Sequence, residues 1–148
     1  LIRPQTKRKS DTYTNIKSNK VFTINHVNKN IIKKAHYTSA KTDFNTSEFE
    51  DVGLTEKYVD NFKSPFVKES YIGLGLKYND EILLSNNCTL IIGEIDNIRL
   101  TEELFDDNGL LDLSKSHSIG VDGIGNYYGL ELKEKHEYVG NAKLPNKI

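Results

Sequence analysis

The chain has 148 residues, 36% of them hydrophobic and 28% charged, with a net charge of −1 and one cysteine. That is the size and balance of a single soluble domain, and no apolar run is long enough to span a bilayer. Cys88 has no partner for an internal disulfide and no secretory signal pattern opens the chain, so a reducing, cytoplasmic setting is expected.

Charge is unevenly placed. Residues 1–41 carry ten Lys or Arg against one acid, Asp11, and stand at +9, while residues 42–148 stand at −10. The basic third should face an anion: a phosphorylated small molecule, a nucleic acid, or the acidic remainder of the same chain. Lys outnumbers Arg heavily and Asn is abundant, a compositional bias, so placement of lysine informs more than its number. The chain contains no Met and opens on LIRPQ, which reads as the end of a strand. We therefore expect the natural domain to extend further toward its N-terminus.

In chain order, SDTYTNIKSN reads as a short helix capped by Ser10 or Asp11, with Tyr13, Ile16 and Lys17 at helical spacing. KVFTINHV alternates as a strand, Phe22 and Ile24 on one face and Val21, Thr23 and Asn25 on the other. NKNIIKKAHYTSA offers an Asn cap and a stripe of Ile31, Ile32 and Ala35. In TSEFEDVGLTEKYVDNF, Ser47 caps a helix that Gly53 ends, and a second helical turn is expected from Thr55. Pro65 then punctuates.

SYIGLGLKY alternates strictly, setting Gly73 and Gly75 opposite Ile72, Leu74 and Leu76; the glycine strip should admit another backbone or a planar ligand. CTLIIGEIDNIRL is apolar on both faces at its middle and is expected to be a central strand with Cys88 and Leu90 buried. TEELFDDNG gives a capped helical turn and then a tight turn. SIGVDGIGNYYGL reads as a glycine-rich loop that delivers Tyr127 and Tyr128, and the tail after it as a solvated segment. Strands outweigh short helices and no repeat appears, so one α+β, mainly β domain on an antiparallel sheet or barrel fits.

Arg3, Lys7, Arg8 and Lys9 lead directly into the first helix. A helix N-terminus presents unpaired amides and a positive dipole end, so these cations with Ser10 and Thr12 can form a phosphate cradle. The competing reading is that Ser10 only caps the helix and the lysines are solvated. GIGNYYG lacks the spacing, leading strand and following helix of a dinucleotide fingerprint. AHYTSAK gathers His36, Ser39 and Lys41, with His36 either a ligand group or a surface histidine. His26, His36, His117 and His136 show no metal-ligand spacing, and no nucleophile pattern appears, so chemistry would come from a cofactor.

Taken in order, SDTYTNI, FTINHV, KKAHYTSAK with SEFEDVGLT, SPFVKES with GLGLKY, LIIGEIDNI and GIGNYYGL resemble the flavin reductase-like family, from Arg3 to about Leu130. The resemblance implies an FMN-binding split β-barrel with short peripheral helices, assembled as a homodimer, lacking here the family's first strands. It implies FMN as cofactor and NAD(P)H as co-substrate, with hydride transfer between them. Lys9, Ser10 and Thr12 would contact the phosphate with Arg3 as charge partner; His36, Ser39 and Lys41 would line the flavin site or its rim at the partner subunit, and Tyr127 would cover the nicotinamide or the flavin. A flavin-binding electron carrier is the alternative within the fold. A nucleic-acid-binding domain is a third reading, disfavoured because aromatic residues do not interleave with the cations. Neither nucleic acid nor membrane is expected as a partner.

Overall fold

Ser10 stands in extended backbone and its hydroxyl accepts the Tyr13 amide at 3.2 Å, which opens helix α1 (Asp11–Asn19). This cap belongs to a computed structural model that describes residues 2, 10–40, 46–123, 125–140 and 144. Arg3, Lys9 and Lys41 lie outside the described residues. Lys20, in the left-handed region, turns α1 into strand β1 (Val21–Asn25).

β1 pairs with β4 (Ile72–Leu83), and β4 with β5 (Thr89–Leu100), in one antiparallel sheet of order β1-β4-β5. The alternation expected for these segments is realised: Ile24, Leu74 and Ile98 stand in one cross-strand row, Asn25, Gly73 and Arg99 in the next. Among the described strands β4 lies in the middle, and the far edge of β5 is bridged by Ile2, which exchanges backbone hydrogen bonds with Thr89. Ile72 is buried and Leu74 half-buried, but Leu90, Ile95 and Ile98 are exposed. An apolar run on both faces signals contact on both sides, and the described residues cover β5 only partly. Cys88 is buried as expected.

β2 (Glu56–Val59) and β3 (Phe62–Val67) form a hairpin where a helical turn was expected after Thr55. Asn61, with φ 62°, supplies the left-handed residue that reverses the chain. Pro65 lies inside β3, not beyond its end; its position falls where the pairing slips between Lys57 and Val59, so no ladder amide is missed. The hairpin is stitched to β1 by side chains. Thr23 donates to the Pro65 carbonyl at 2.7 Å, Ser64 to the Val21 carbonyl at 2.9 Å, and the Val67 amide to Asn25 Oδ1 at 3.1 Å.

That stitching sets Phe62 and Phe66 onto the glycine strip of β4. A Cβ at Gly73 would lie 2.7 Å from Phe66 Cδ1, and one at Gly75 3.0 Å from both rings. The close approach that the glycines permit is thus taken by the chain's own aromatic side chains.

Helix α2 (Ile32–Tyr37) starts at Ile31 without a side-chain cap. Asn28, the expected cap, is buried, donating to the Glu69 carbonyl at 2.8 Å and accepting the Asn30 amide at 3.0 Å. Helix α3 (Glu48–Val52) is capped by Ser47 and ended by Gly53 at φ 64°, as expected. A single 3₁₀ turn follows β5 at Glu102–Leu104, without the side-chain cap anticipated there. The glycine-rich stretch is a hairpin instead of a loop, β6 (Ile119–Val121) against β7 (Tyr127–Gly129). The resulting mainly antiparallel architecture with short helices is the expected one.

α1 buries only Ile16 and is held by polar contacts to β4. Glu81 accepts from the Tyr13 hydroxyl at 3.0 Å and from Lys17 at 3.1 Å, while Lys17 also donates to the Tyr78 hydroxyl at 2.9 Å. Lys20 lies 4.6 Å from the Tyr78 ring centre. Burial works to raise the Glu81 pKa, but the hydrogen bonds from Lys17 and Tyr13 outweigh it and hold the carboxyl below its ordinary value. A depressed folded-state pKa means stability present above the unfolded value and lost as pH falls through the folded one. Stability to urea should therefore decline more steeply in acid, below about pH 4, in the unsubstituted protein than in Glu81→Gln, as urea midpoints across that range would read.

Candidate functional site

A cavity of about 470 Å³ opens between α1, β1, α2, α3 and β3. Its apolar walls include Ile16, Phe22, Ile31, Phe49 and Leu54. This size and lining suit a small ligand. Most polar groups on the wall are already satisfied: Thr23, Asn25 and Ser64 by the β1–β3 stitching, and Thr38 by donating to the Ala35 carbonyl at 2.7 Å.

The α1 side differs. Thr12, Asn15 and Asn19 sit at helical spacing on one face and line the cavity. Among the described residues, none of their side chains makes a hydrogen bond. The stripe spans about 10 Å, from the rise per residue of a helix, and offers amide and hydroxyl donors and acceptors to a bound molecule. Ser10 lies just beyond its N-terminal end.

Acidic groups stand at the same entrance. Glu48 lines the cavity, and burial followed by repulsion from Asp11 and Asp51 raises its carboxyl above the ordinary value. An anion near the start of α1 must overcome these charges.

His36 and Tyr127, expected together at one site, do meet. His36 Nδ1 and the Tyr127 hydroxyl are 2.8 Å apart, and the rings lie edge to face with centres 5.8 Å apart. This contact fastens the tip of the β6–β7 hairpin to α2. Ser39 instead donates to the His36 carbonyl at 2.8 Å, closing the helix end, and its neighbour Thr38 faces the cavity. Ser10 and Thr12 flank the first turn of α1, with Thr12 on the cavity wall.

Two of the N-terminal third's cations turn inward: Lys17 to Glu81 and Tyr78, and Lys34 to the Gly53 carbonyl at 2.5 Å. The acidic remainder of the chain therefore absorbs part of the charge asymmetry.

Asn15, Asn19, Glu48 and His26 line the cavity without having been singled out from the sequence. His26, at the end of β1, lines the wall with its Nδ1 3.3 Å from Ser118 Oγ. The signal was a lone histidine whose partner lies in a distant loop. A second cavity, about 460 Å³, is lined by Leu110, Leu111, Leu113, Leu130 and Leu132 with Lys135, and holds none of the expected site residues. Among the described residues no cluster of metal-ligating side chains occurs, and no helix is long and apolar enough to cross a membrane.

Residues 4–119 match the pattern of the flavin reductase like domain. A structure from Shewanella frigidimarina NCIMB 400, assigned as a flavin reductase with a split barrel domain, superposes with a TM-score of 0.80 at 36% identity over 86% of this chain and 65% of that one. Flavoredoxin of Desulfovibrio vulgaris (Miyazaki F) gives 0.73 at 25% identity, covering 93% of this chain and 70% of its own. Nitrilotriacetate monooxygenase component B from Bacillus cereus gives 0.80 at 22% identity, over 89% and 67%, a likeness of fold. The chain thus spans less than two thirds of the Shewanella protein's length. No curated protein shows a significant match.

Proposed function

Because the chain belongs to the flavin reductase-like domain family, with a split-barrel fold, we propose that it binds FMN and serves as an NAD(P)H:flavin oxidoreductase. The observation that carries this reading is the stripe of unbonded polar side chains, Thr12, Asn15 and Asn19, running from the start of α1 along a ligand-sized cavity. Its donors and acceptors fit a flavin's phosphate, hydroxyl and carbonyl groups. Thr12 and Ser10, with Lys9 and Arg3 before them, would hold the phosphate, and the cations would offset Asp11 and Glu48. His36 and Tyr127 would bound the ring side, together with Ser39 and Lys41 at the end of α2.

Bound flavin would supply two-electron chemistry, accepting hydride from NAD(P)H and releasing the electrons to an acceptor. The chain's own task is to fix the ligand, exclude water and align the partners. No side-chain acid or base is required for hydride transfer itself.

The sheet face bearing Ile24, Ile95 and Ile98 is open and apolar, which supports the homodimer expected of the family. An electron-carrier role remains as the second reading, favoured by the likeness to flavoredoxin. Purified protein should be yellow, with a flavin absorbance band bleached by NADH or NADPH. A colourless protein that takes up no added FMN would overturn the proposal, and a yellow one unbleached by either nucleotide would leave the carrier.

A further inference from the structure

The hydroxyl groups behind His26 fix which of its ring nitrogens carries the proton. Ser116 is fully buried and Ser118 nearly so. Ser116 Oγ lies 2.6 Å from the Leu113 carbonyl and 2.6 Å from Ser118 Oγ. Two oxygens this close repel unless a proton lies between them. A serine has one proton to give, and the carbonyl can only accept. Ser116 therefore donates to Leu113, and Ser118 donates to Ser116. The Ser118 amide, 3.1 Å from Ser116 Oγ, adds a second donor to the same oxygen.

Ser118 then has no proton left for the imidazole. At 3.3 Å its oxygen can only accept, so neutral His26 carries its proton on Nδ1. Nε2 is left with a bare lone pair, no described residue bonds to it, and His26 is among the residues that line the cavity. The ring's backbone is held as firmly. The His26 amide donates to the Ile72 carbonyl at 2.9 Å, and the Ser70 hydroxyl, 2.8 Å from both the His26 and the Ile72 carbonyls, shares its proton between them.

We propose that His26 is a ligand-binding residue of the cavity, a fixed hydrogen-bond acceptor for an N–H or O–H of the bound molecule, with Ser118 as its positioning residue. It lines the same cavity as Thr12, Asn15 and Asn19. The ligand chemistry is an amide or imide N–H or a sugar-type hydroxyl, which flavins offer as the ring imide and the ribityl chain and nicotinamide nucleotides as the carboxamide and the ribose. The inference rests on the flavin reading for its choice of probes, not for the proton position.

Dissociation constants for FMN and for NADH, read by fluorescence on the full chain, test it in His26→Ala, His26→Gln and Ser118→Ala. His26→Ala should weaken one of the two ligands roughly three- to tenfold, the worth of one hydrogen bond. His26→Gln, whose carbonyl still accepts, should recover most of that loss. Which ligand responds identifies the source of the donor. Nitrogen NMR of labelled histidine in the free protein should show the proton on Nδ1, and Ser118→Ala should release part of it to Nε2. A proton on Nε2 in the unsubstituted protein, equal losses for Ala and Gln, or no change for either ligand overturns the proposal. A chain that binds NADH but no FMN sinks the flavin reading alone, and one that binds neither sinks both.

Discussion

Lys9→Ala combined with Ser10→Ala should weaken FMN binding by about two to four orders of magnitude and leave riboflavin nearly unchanged. FMN phosphate is close to a dianion, and each hydrogen bond to a charged group contributes roughly 1.5–3 kcal/mol, so losing two gives that range after allowance for non-additivity. The entrance to the cavity carries Asp11 and Glu48, whose carboxyl is raised first by burial and then by repulsion from Asp11 and Asp51. Removing the cation that precedes α1 in the chain should leave the phosphate exposed to those acids. Riboflavin lacks the phosphate and supplies the control. A helix merely destabilised by losing its Ser10 cap would release both ligands alike. Flavin fluorescence gives both constants, and equal losses, or none for FMN, would reduce Ser10 to the helix cap its bond to the Tyr13 amide already makes it.

Phe66→Ala should cost about 3–5 kcal/mol of stability, as for other buried phenylalanines, a large share of the roughly 5–15 kcal/mol that holds a domain folded. Phe66 has no exposed surface, and its ring fills the space over Gly73 and Gly75 with Phe62 beside it, ring centres 5.8 Å apart. Glycines have no side chain to move into the vacated volume, so the cavity should persist. The pairing makes a sharper test. Gly73→Ala in the unsubstituted protein drives a methyl to 2.7 Å from the ring and should destabilise it. In the Phe66→Ala background the same methyl partly refills the hole and should be neutral or stabilising. Urea midpoints for the four proteins close the cycle. Additive losses would mean that the ring and the glycine strip do not act as one unit.

The elements legible in the sequence were those with local causes. α1 and α3 carry their own caps, Ser10 and Ser47, and β1 and β4 alternate in their own residues. Where tertiary contacts chose between local options, the sequence reading went astray. The segment after Thr55 has a helix-start pattern, yet it pairs with β3 because Asn61 accepts a left-handed turn. Asn28 looks like a cap and instead spans from Glu69 to Asn30.

The site divides along the same line. Ser10 and Thr12 are readable because a helix start announces itself. His36 and Tyr127 meet across ninety-one positions, and the family pattern, not any local rule, suggested them together. His26 was invisible because its significance lies in a proton count through Ser118 and Ser116 that ends on the Leu113 carbonyl.

The pairing order of the main sheet has a kinetic side. β4 and β5 are joined by the short turn around residues 84–88, where the Leu84 amide bonds to the Cys88 carbonyl. Their ladder can form early, since closing a short loop costs little chain entropy. β1 can dock only when the whole stretch from Asn25 to Ile72, carrying α2, α3 and the β2–β3 hairpin, is folded back. That non-local step is the one expected to limit the folding rate. The cavity wall that β1 supplies is therefore completed only after the β4–β5 ladder it docks on.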